Sequence, residues 1–205
     1  MAKMDYFLLD VTSLPDPCVE GAALAGIPEW RCRQILKYLQ PGDRKLSLGA
    51  WRLLEETLGR YGFSAGEVTT DRNGKLICDG IYFNLSHSAH MALCAVSDVP
   101  VGCDIEQVTN APLDIAEHVF SDKERRYIWA GRSARETDRR FFRLWTMKES
   151  YLKMTGEGMN LPPERVEIDP CTLTILRDSV SQSCTLQNMT VDDYEISVCT
   201  EDKTC

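Results

Sequence analysis

No stretch of the 205 residues approaches the ~20 consecutive apolar side chains that a membrane-spanning helix needs, and the opening MAKMDYFLLDV lacks the apolar region of a secretory signal. Positive charge is in deficit. Lys and Arg number 23 against 31 Asp and Glu, a net charge of -8, so the molecule is not built to hold a polyanion by its overall field. Nucleic acid is therefore not an expected partner, and any phosphate site has to be a local basic pocket. There is no C-x-x-C pair. The nine cysteines (Cys18, Cys32, Cys78, Cys94, Cys103, Cys171, Cys184, Cys199 and Cys205) are odd in number and scattered, which supports neither a zinc knuckle nor a secreted disulfide framework. Cys94, Cys103 and Cys199 sit in alternating apolar runs, where a thiol behaves as a small hydrophobe. These absences together predict a reduced, cytoplasmic protein with no membrane association. No G-x-S-x-G elbow occurs either, which leaves a hydrolase triad around Ser86 or Ser88 unsupported.

With 43% hydrophobic residues the chain can bury a substantial core, as one domain or as two tightly packed halves. Pro28–Leu39 reads as a short helix with Pro41-Gly42 as its stop, and Asp43 as the cap of a longer helix to about Leu58. From Leu76 to Val108 the period changes to 2, with LIC, IYFNLS, MALCAVS and VGCDIEQV as short strands. Helical spacing returns at Pro112–His118, at Ser121, where Ser-Asp-Lys-Glu has capping-box form, and through Arg135–Met154. After Gly156 and Gly158 come the strands ERVEID, TLTILRD and DYEISVCT. Helices then sheet, twice over, predicts an α+β fold of two similar α/β halves, 1–108 and 109–205, packed as one unit. MALCAVSD and YEISVCTED echo one another and support the doubling. An internally doubled fold completes its own cleft, so a monomer is expected.

In VGCDIEQV the strand period places Val101, Cys103 and Ile105 on one face and Gly102, Asp104 and Glu106 on the other. The two carboxylates then lie roughly 6.6 Å apart, within reach of one hard cation, although a solvated sheet face has the same pattern. In FFRLWTMKESYLKM, Lys148 and Glu149 fall inside the apolar arc with Lys153 at its margin, while Arg143, Thr146 and Ser150 form the opposite, polar strip. A charge on the inward side has to be paired or metal-bound, so the choice lies between a functional pair and a buried structural one. His87, between two serines in NLSHS, suits an anion better than a triad. Arg44 and Lys45 open the second long helix, where free N–H groups also favour phosphate.

Taken in order, DRKLSLG (Asp43–Gly49), Gly74-Lys75, FNLSHS (Phe83–Ser88), VGCDIE (Val101–Glu106) and LWTMKESYLKMTGEG (Leu144–Gly158) resemble the surfactin-type (Sfp-like) 4′-phosphopantetheinyl transferase family. V-G-x-D-x-E followed some forty residues later by W-x-x-K-E-x-x-x-K is that family's signature, and both parts are complete here. The likeness covers about half the chain, Asp43 to Gly158. It implies a pseudo-twofold α+β fold with coenzyme A and one Mg²⁺ in the cleft between the halves. It further implies transfer of 4′-phosphopantetheine to a serine of an acyl or peptidyl carrier protein with release of 3′,5′-ADP, the reaction of a holo-[acyl-carrier-protein] synthase. Carried over by position, Asp104, Glu106 and Glu149 would hold Mg²⁺, and Lys148 and Lys153 would neutralise the pyrophosphate. His87, with Arg44 or Lys45, would grip the 3′-phosphate, and Ser86 would also contact coenzyme A. Lys75 would lie near the adenine or its phosphate. Glu149, Lys153 and His87 would be the catalytic groups, Glu149 as base for the serine proton. The chain departs from the pattern at Gly74-Lys75-Leu76, where many relatives read G-K-P, and at Asp43-Arg44-Lys45-Leu46-Ser47, where they read D-R-x-R-S. The competing readings are a Mg²⁺-dependent nucleotide or phosphodiester hydrolase, and an inactive homologue that only binds coenzyme A or carrier. The latter should have lost a metal ligand, and none is lost.

Overall fold

A computed structural model of the chain describes residues 3–72, 74–157 and 161–203. Gly158, expected as part of a helix stop, and Cys205 lie outside the described residues. The first half runs β1 (Met4–Asp10), α1 (Glu29–Leu36), α2 (Pro41–Arg60), a small hairpin of β2 (Thr69–Thr70) and β3 (Leu76–Ile77), then β4 (Tyr82–Ser88) and β5 (Met91–Ser97). The second runs β6 (Val101–Gln107), the short α3 (Ala116–Val119), α4 (Asp122–Trp129), α5 (Ala134–Thr155), then β7 (Val166–Asp169), β8 (Thr174–Arg177), β9 (Val180–Ser181), β10 (Cys184–Val191) and β11 (Tyr194–Glu201). The strand orders are β1-β5-β4 and β10-β11-β6, all pairs antiparallel. The second order read backwards, β6-β11-β10, reproduces the first, with β6 in the place of β1 and α5 in the place of α2. The two echoing segments are β5 and β11, the central strand of each sheet. By its pairing β6 goes with the second half, so the repeat turns over between Ser97 and Val101, earlier than the division at 108/109 expected from sequence.

The layers follow from strand parity. On β5, Ala92, Cys94 and Val96 face α2 with Trp51, Leu54 and Leu58, while Leu93 and Ala95 face the other sheet. There they meet Val101, Cys103 and Ile105 of β6 and Ile196 and Val198 of β11. Cys94, Cys103 and Cys199 are fully buried, and the eight described cysteines are free thiols. Among the described residues no helix is long and apolar enough to cross a membrane.

Two local expectations change. Pro41 opens α2 instead of ending α1, because its fixed φ and missing N–H suit the first helical position, and Asp43 sits inside the first turn instead of capping it. The strip Arg143, Thr146 and Ser150 does not face solvent. Thr146 and Ser150 are wholly buried against the second sheet, the Thr146 hydroxyl 2.9 Å from that of Ser197. The long helix is thus covered on both sides, by apolar packing on one and by polar contacts to the sheet on the other. The Ser121 capping box is formed, the Ser121 N–H donating to Glu124 Oε2 at 2.7 Å and the Glu124 N–H returning to Ser121 Oγ at 3.4 Å.

Candidate active site

The site is built where the two sheets meet. β4 and β6 run side by side in the same direction without a hydrogen-bonded ladder. Strand period 2 turns Asn84, Ser86 and Ser88 of β4 toward β6, and each makes a contact there. Asn84 Oδ1 accepts the Cys103 N–H at 2.9 Å, Ser86 Oγ donates to Asp104 Oδ1 at 2.8 Å, and Ser88 Oγ donates to Glu106 Oε2 at 2.7 Å. The opposite flank is α5, which lies directly on β6 because residue 102 is glycine. A Cβ there would sit 2.1 Å from the Ser150 carbonyl oxygen and 2.3 Å from the Met154 nitrogen. That close approach puts Lys153 on Asp104, with Nζ 2.5 Å from Oδ1 and 3.2 Å from Ser86 Oγ.

A cleft of about 710 Å³ opens beside this pair, within the range of small-molecule sites. Gly74, Lys75, Asn84 and Leu85 line it from the first half, and Glu149, Lys153, Leu161 and Pro162 from the second. Lys75 spans the halves, its Nζ donating to the Lys153 carbonyl oxygen at 3.1 Å. Burial works against the Lys153 charge, but Asp104, with help from Glu149, outweighs it and raises its pKa. Burial pushes the Glu149 carboxyl up, and the Asp104 charge adds to the effect. Burial raises Glu106 too, Ser88 opposes this, and Asp104 and Glu149 raise it further. Three carboxylates therefore feel one another's charge, as an anionic cluster beside one ammonium does. His87 is held below the usual imidazole value by desolvation and by the positive charges of Lys153 and Arg31, with Asp43 opposing.

These acids are not a preassembled cage: among the described residues no three His, Cys, Asp or Glu side chains are gathered so as to hold an ion. Their chemistry nonetheless suits a hard cation. The donors are all carboxylate oxygens, and Asp104 Oδ2 is buried without a hydrogen-bond partner.

Ser86, Asp104 and Lys153 are brought into contact, Lys75 joins them through the Lys153 carbonyl, and Glu106, Glu149 and His87 lie within reach of their charges. Lys148 is not among them. It is 2% exposed in the core of the second half, its Nζ 3.0 Å from Glu124 Oε2, donating to the carbonyls of Pro163 at 3.1 Å and of Val166. An inward charge is indeed paired, but through α4 and not at the cleft. Arg44 is also spent elsewhere. Its Nε and Nη2 hold Asp16 at 2.7 and 2.6 Å, and its Nη1 donates to the carbonyls of Tyr38 and Leu39. Lys45 Nζ lies 3.4 Å from the Thr12 carbonyl. Besides Lys153, the cation whose charge reaches His87 is Arg31 of α1, whose buried Nε has no hydrogen-bond partner and whose Nη2 donates to Ser47. No spacing in the sequence singles it out, because it reaches the site through tertiary packing of α1 on α2.

A sequence model described as the 4′-phosphopantetheinyl transferase superfamily matches residues 100–199. The chain is 44% identical over 90 residues to the 4′-phosphopantetheinyl transferase gsp of Aneurinibacillus migulanus, covering 43% of this chain and 37% of that one. It is 37% identical over 123 residues to 4′-phosphopantetheinyl transferase Sfp of Bacillus subtilis strain 168, covering 58% and 54%. To the psf-1 transferase of Bacillus pumilus it is 36% identical over 139 residues, covering 64% and 59%. The chain thus spans about half the length of the curated relatives it matches. Among solved structures, Thermotoga maritima holo-[acyl-carrier-protein] synthase aligns with a TM-score of 0.38 and 19% identity over 51% of this chain and 64% of that one. The V-G-x-D-x-E strand packs against the W-x-x-K-E-x-x-x-K helix beside the cleft, residues 100–199 match the 4′-phosphopantetheinyl transferase superfamily, and the chain is similar to the Sfp-like members of that superfamily.

Proposed function

We propose that this chain transfers 4′-phosphopantetheine from coenzyme A to a serine of an apo acyl or peptidyl carrier protein, releasing 3′,5′-ADP. This is the conversion carried out by a holo-[acyl-carrier-protein] synthase, assigned here to a chain similar to the Sfp-like relatives. The observation that carries the reading is that Glu149 and Lys153 line a cleft shared by both halves, where Lys153 pairs with Asp104 and the charges of Asp104 and Glu149 act on Glu106.

Asp104, Glu106 and Glu149 are the residues assigned to Mg²⁺, which supplies positive charge against the pyrophosphate. Lys153, whose charged form Asp104 favours, turns in this reading from Asp104 to a phosphate oxygen. Lys75 adds a second cation on the opposite wall. His87 and Arg31 are assigned to the 3′-phosphate, Arg31 replacing Arg44, whose donors are engaged by Asp16 and two carbonyls. The carrier serine oxygen attacks the phosphorus that bears pantetheine, its proton passes to Glu149 directly or through water, and the bond to the bridging oxygen breaks. Both halves contribute to the cleft within one chain, which supports action as a monomer.

Intact-mass measurement of a panel of apo carrier proteins, incubated with the protein, coenzyme A and Mg²⁺, tests the reading. A gain of one phosphopantetheine on the carrier, abolished by chelator, is the expected result. Hydrolysis of coenzyme A with carriers unchanged would instead indicate a nucleotide hydrolase, and binding of coenzyme A with no reaction would indicate a binding-only homologue.

A further inference from the structure

Ser88 has no part in the chemistry above, yet its hydroxyl is engaged both as donor and as acceptor. A serine hydroxyl has one proton and two acceptor positions. The Gln107 N–H donates to Ser88 Oγ at 3.1 Å, and Ser88 Oγ donates its proton to Glu106 Oε2 at 2.7 Å. The Gln107 contact alone would join β4 to β6 there. The second contact ties one oxygen of Glu106 to the strand of the other half and restricts rotation of its carboxyl. Two residues back, Ser86 ties Asp104 Oδ1 in the same way, and Asp104 Oδ2 is left buried with no hydrogen-bond partner. The serine spacing on β4 thus matches the carboxylate spacing on β6, i to i+2 on each strand.

We infer that Ser88 is a positioning residue for Glu106, presenting that carboxylate to the divalent cation from the opposite half of the molecule. The inference rests on the reading of Glu106 as a metal ligand. Partners that orient a ligating carboxylate typically change metal affinity 10- to 100-fold when removed. Mn²⁺, followed by the electron paramagnetic resonance signal of the free ion, is titrated into the whole protein with coenzyme A present. Ser88→Ala is expected to weaken Mn²⁺ binding by about tenfold. Ser88→Thr, which keeps the hydroxyl, is expected to bind as the parent does. The Mg²⁺ concentration giving half-maximal carrier modification should rise in parallel for Ser88→Ala, with the rate at saturating Mg²⁺ largely retained. Should Ser88→Ala fold poorly, the near-isosteric Ser88→Cys replaces it, with the same expected direction. Parent-like Mn²⁺ affinity in Ser88→Ala or Ser88→Cys, with Glu106→Gln weakened, overturns the positioning role and leaves the proposed function standing. Parent-like affinity in Glu106→Gln itself overturns the metal assignment and this inference together.

Discussion

Lys153 Nζ and Asp104 Oδ1 stand 2.5 Å apart, a helix and a strand joined by an ion pair at the edge of the cleft. The Asp104 side chain is 5% exposed and that of Lys153 30%. Removing the lysine therefore strands a buried carboxylate. Lys153→Ala should lower unfolding free energy in urea by about 3 kcal/mol, the low end for a broken buried pair because the lysine is partly solvated. Carrier modification should fall far more than the folded fraction does.

Gly102 sets the distance on which that pair depends. In Gly102→Ala the new methyl meets backbone atoms of Ser150 and Met154, which cannot rotate away. Overpacking of this kind costs about 1–3 kcal/mol, and the helix has to lift from the strand. Chemical denaturation should report the loss. Pantetheinylation should drop even at temperatures where the variant is fully folded, since Lys153 moves with its helix.

Lys148 lies between Glu124 and the carbonyls of Pro163 and Val166, so its removal acts on stability and not on chemistry. Lys148→Met should cost about 3–5 kcal/mol, because Glu124 is left buried and unpaired. The double variant Lys148→Met/Glu124→Gln keeps an acceptor for the Ile168 N–H and should recover part of the loss. Turnover per folded molecule should stay near that of the parent in both. A selective rise in the KM for coenzyme A in Lys148→Met would instead put this lysine at the substrate.

Asp16 is pulled down to about 2 from its ordinary 3.8, first by its hydrogen bonds from Arg44. Its folded value lies below its unfolded one, so its contribution to stability is complete above the ordinary value and disappears as pH falls toward about 2. Urea titrations between these limits should show the parent losing stability faster than Asp16→Asn, which lacks the group. Equal slopes would mean that Arg44 does not hold Asp16 in solution.

The parts of the fold that were legible are those governed by local period and local chemistry. Strand parity placed Asp104 and Glu106 on one face of β6, the Ser121–Glu124 box marked the start of α4, and likeness between β5 and β11 exposed the repeat. Of the residues in the motif segments, Asp104, Glu149 and Lys153 lie at or beside the cleft, whereas Lys148 and Arg44 are engaged elsewhere. Interactions between distant segments were not legible. Asp16 meets Arg44 across 28 residues from a loop with no pattern. Lys148 finds Glu124 on a different helix, and the polar strip of α5 reads as a solvent face until a second sheet covers it. The strands β1 and β10 are not marked by period 2: β1 carries the unbroken run Tyr6-Phe7-Leu8-Leu9, and Asn188 interrupts the alternation of β10.

The seam of Asn84, Ser86 and Ser88 along β6 bears on how such a molecule can diverge. A chain of one half's length would have to pair with a copy of itself to build a cleft, and every substitution would then appear on both walls. With the two halves covalently joined, β4 can specialise in hydroxyls while β6 and α5 specialise in charge, and β10, the counterpart of β4, is released from that task. Asymmetry of chemistry on a symmetric frame is what the single polypeptide makes possible.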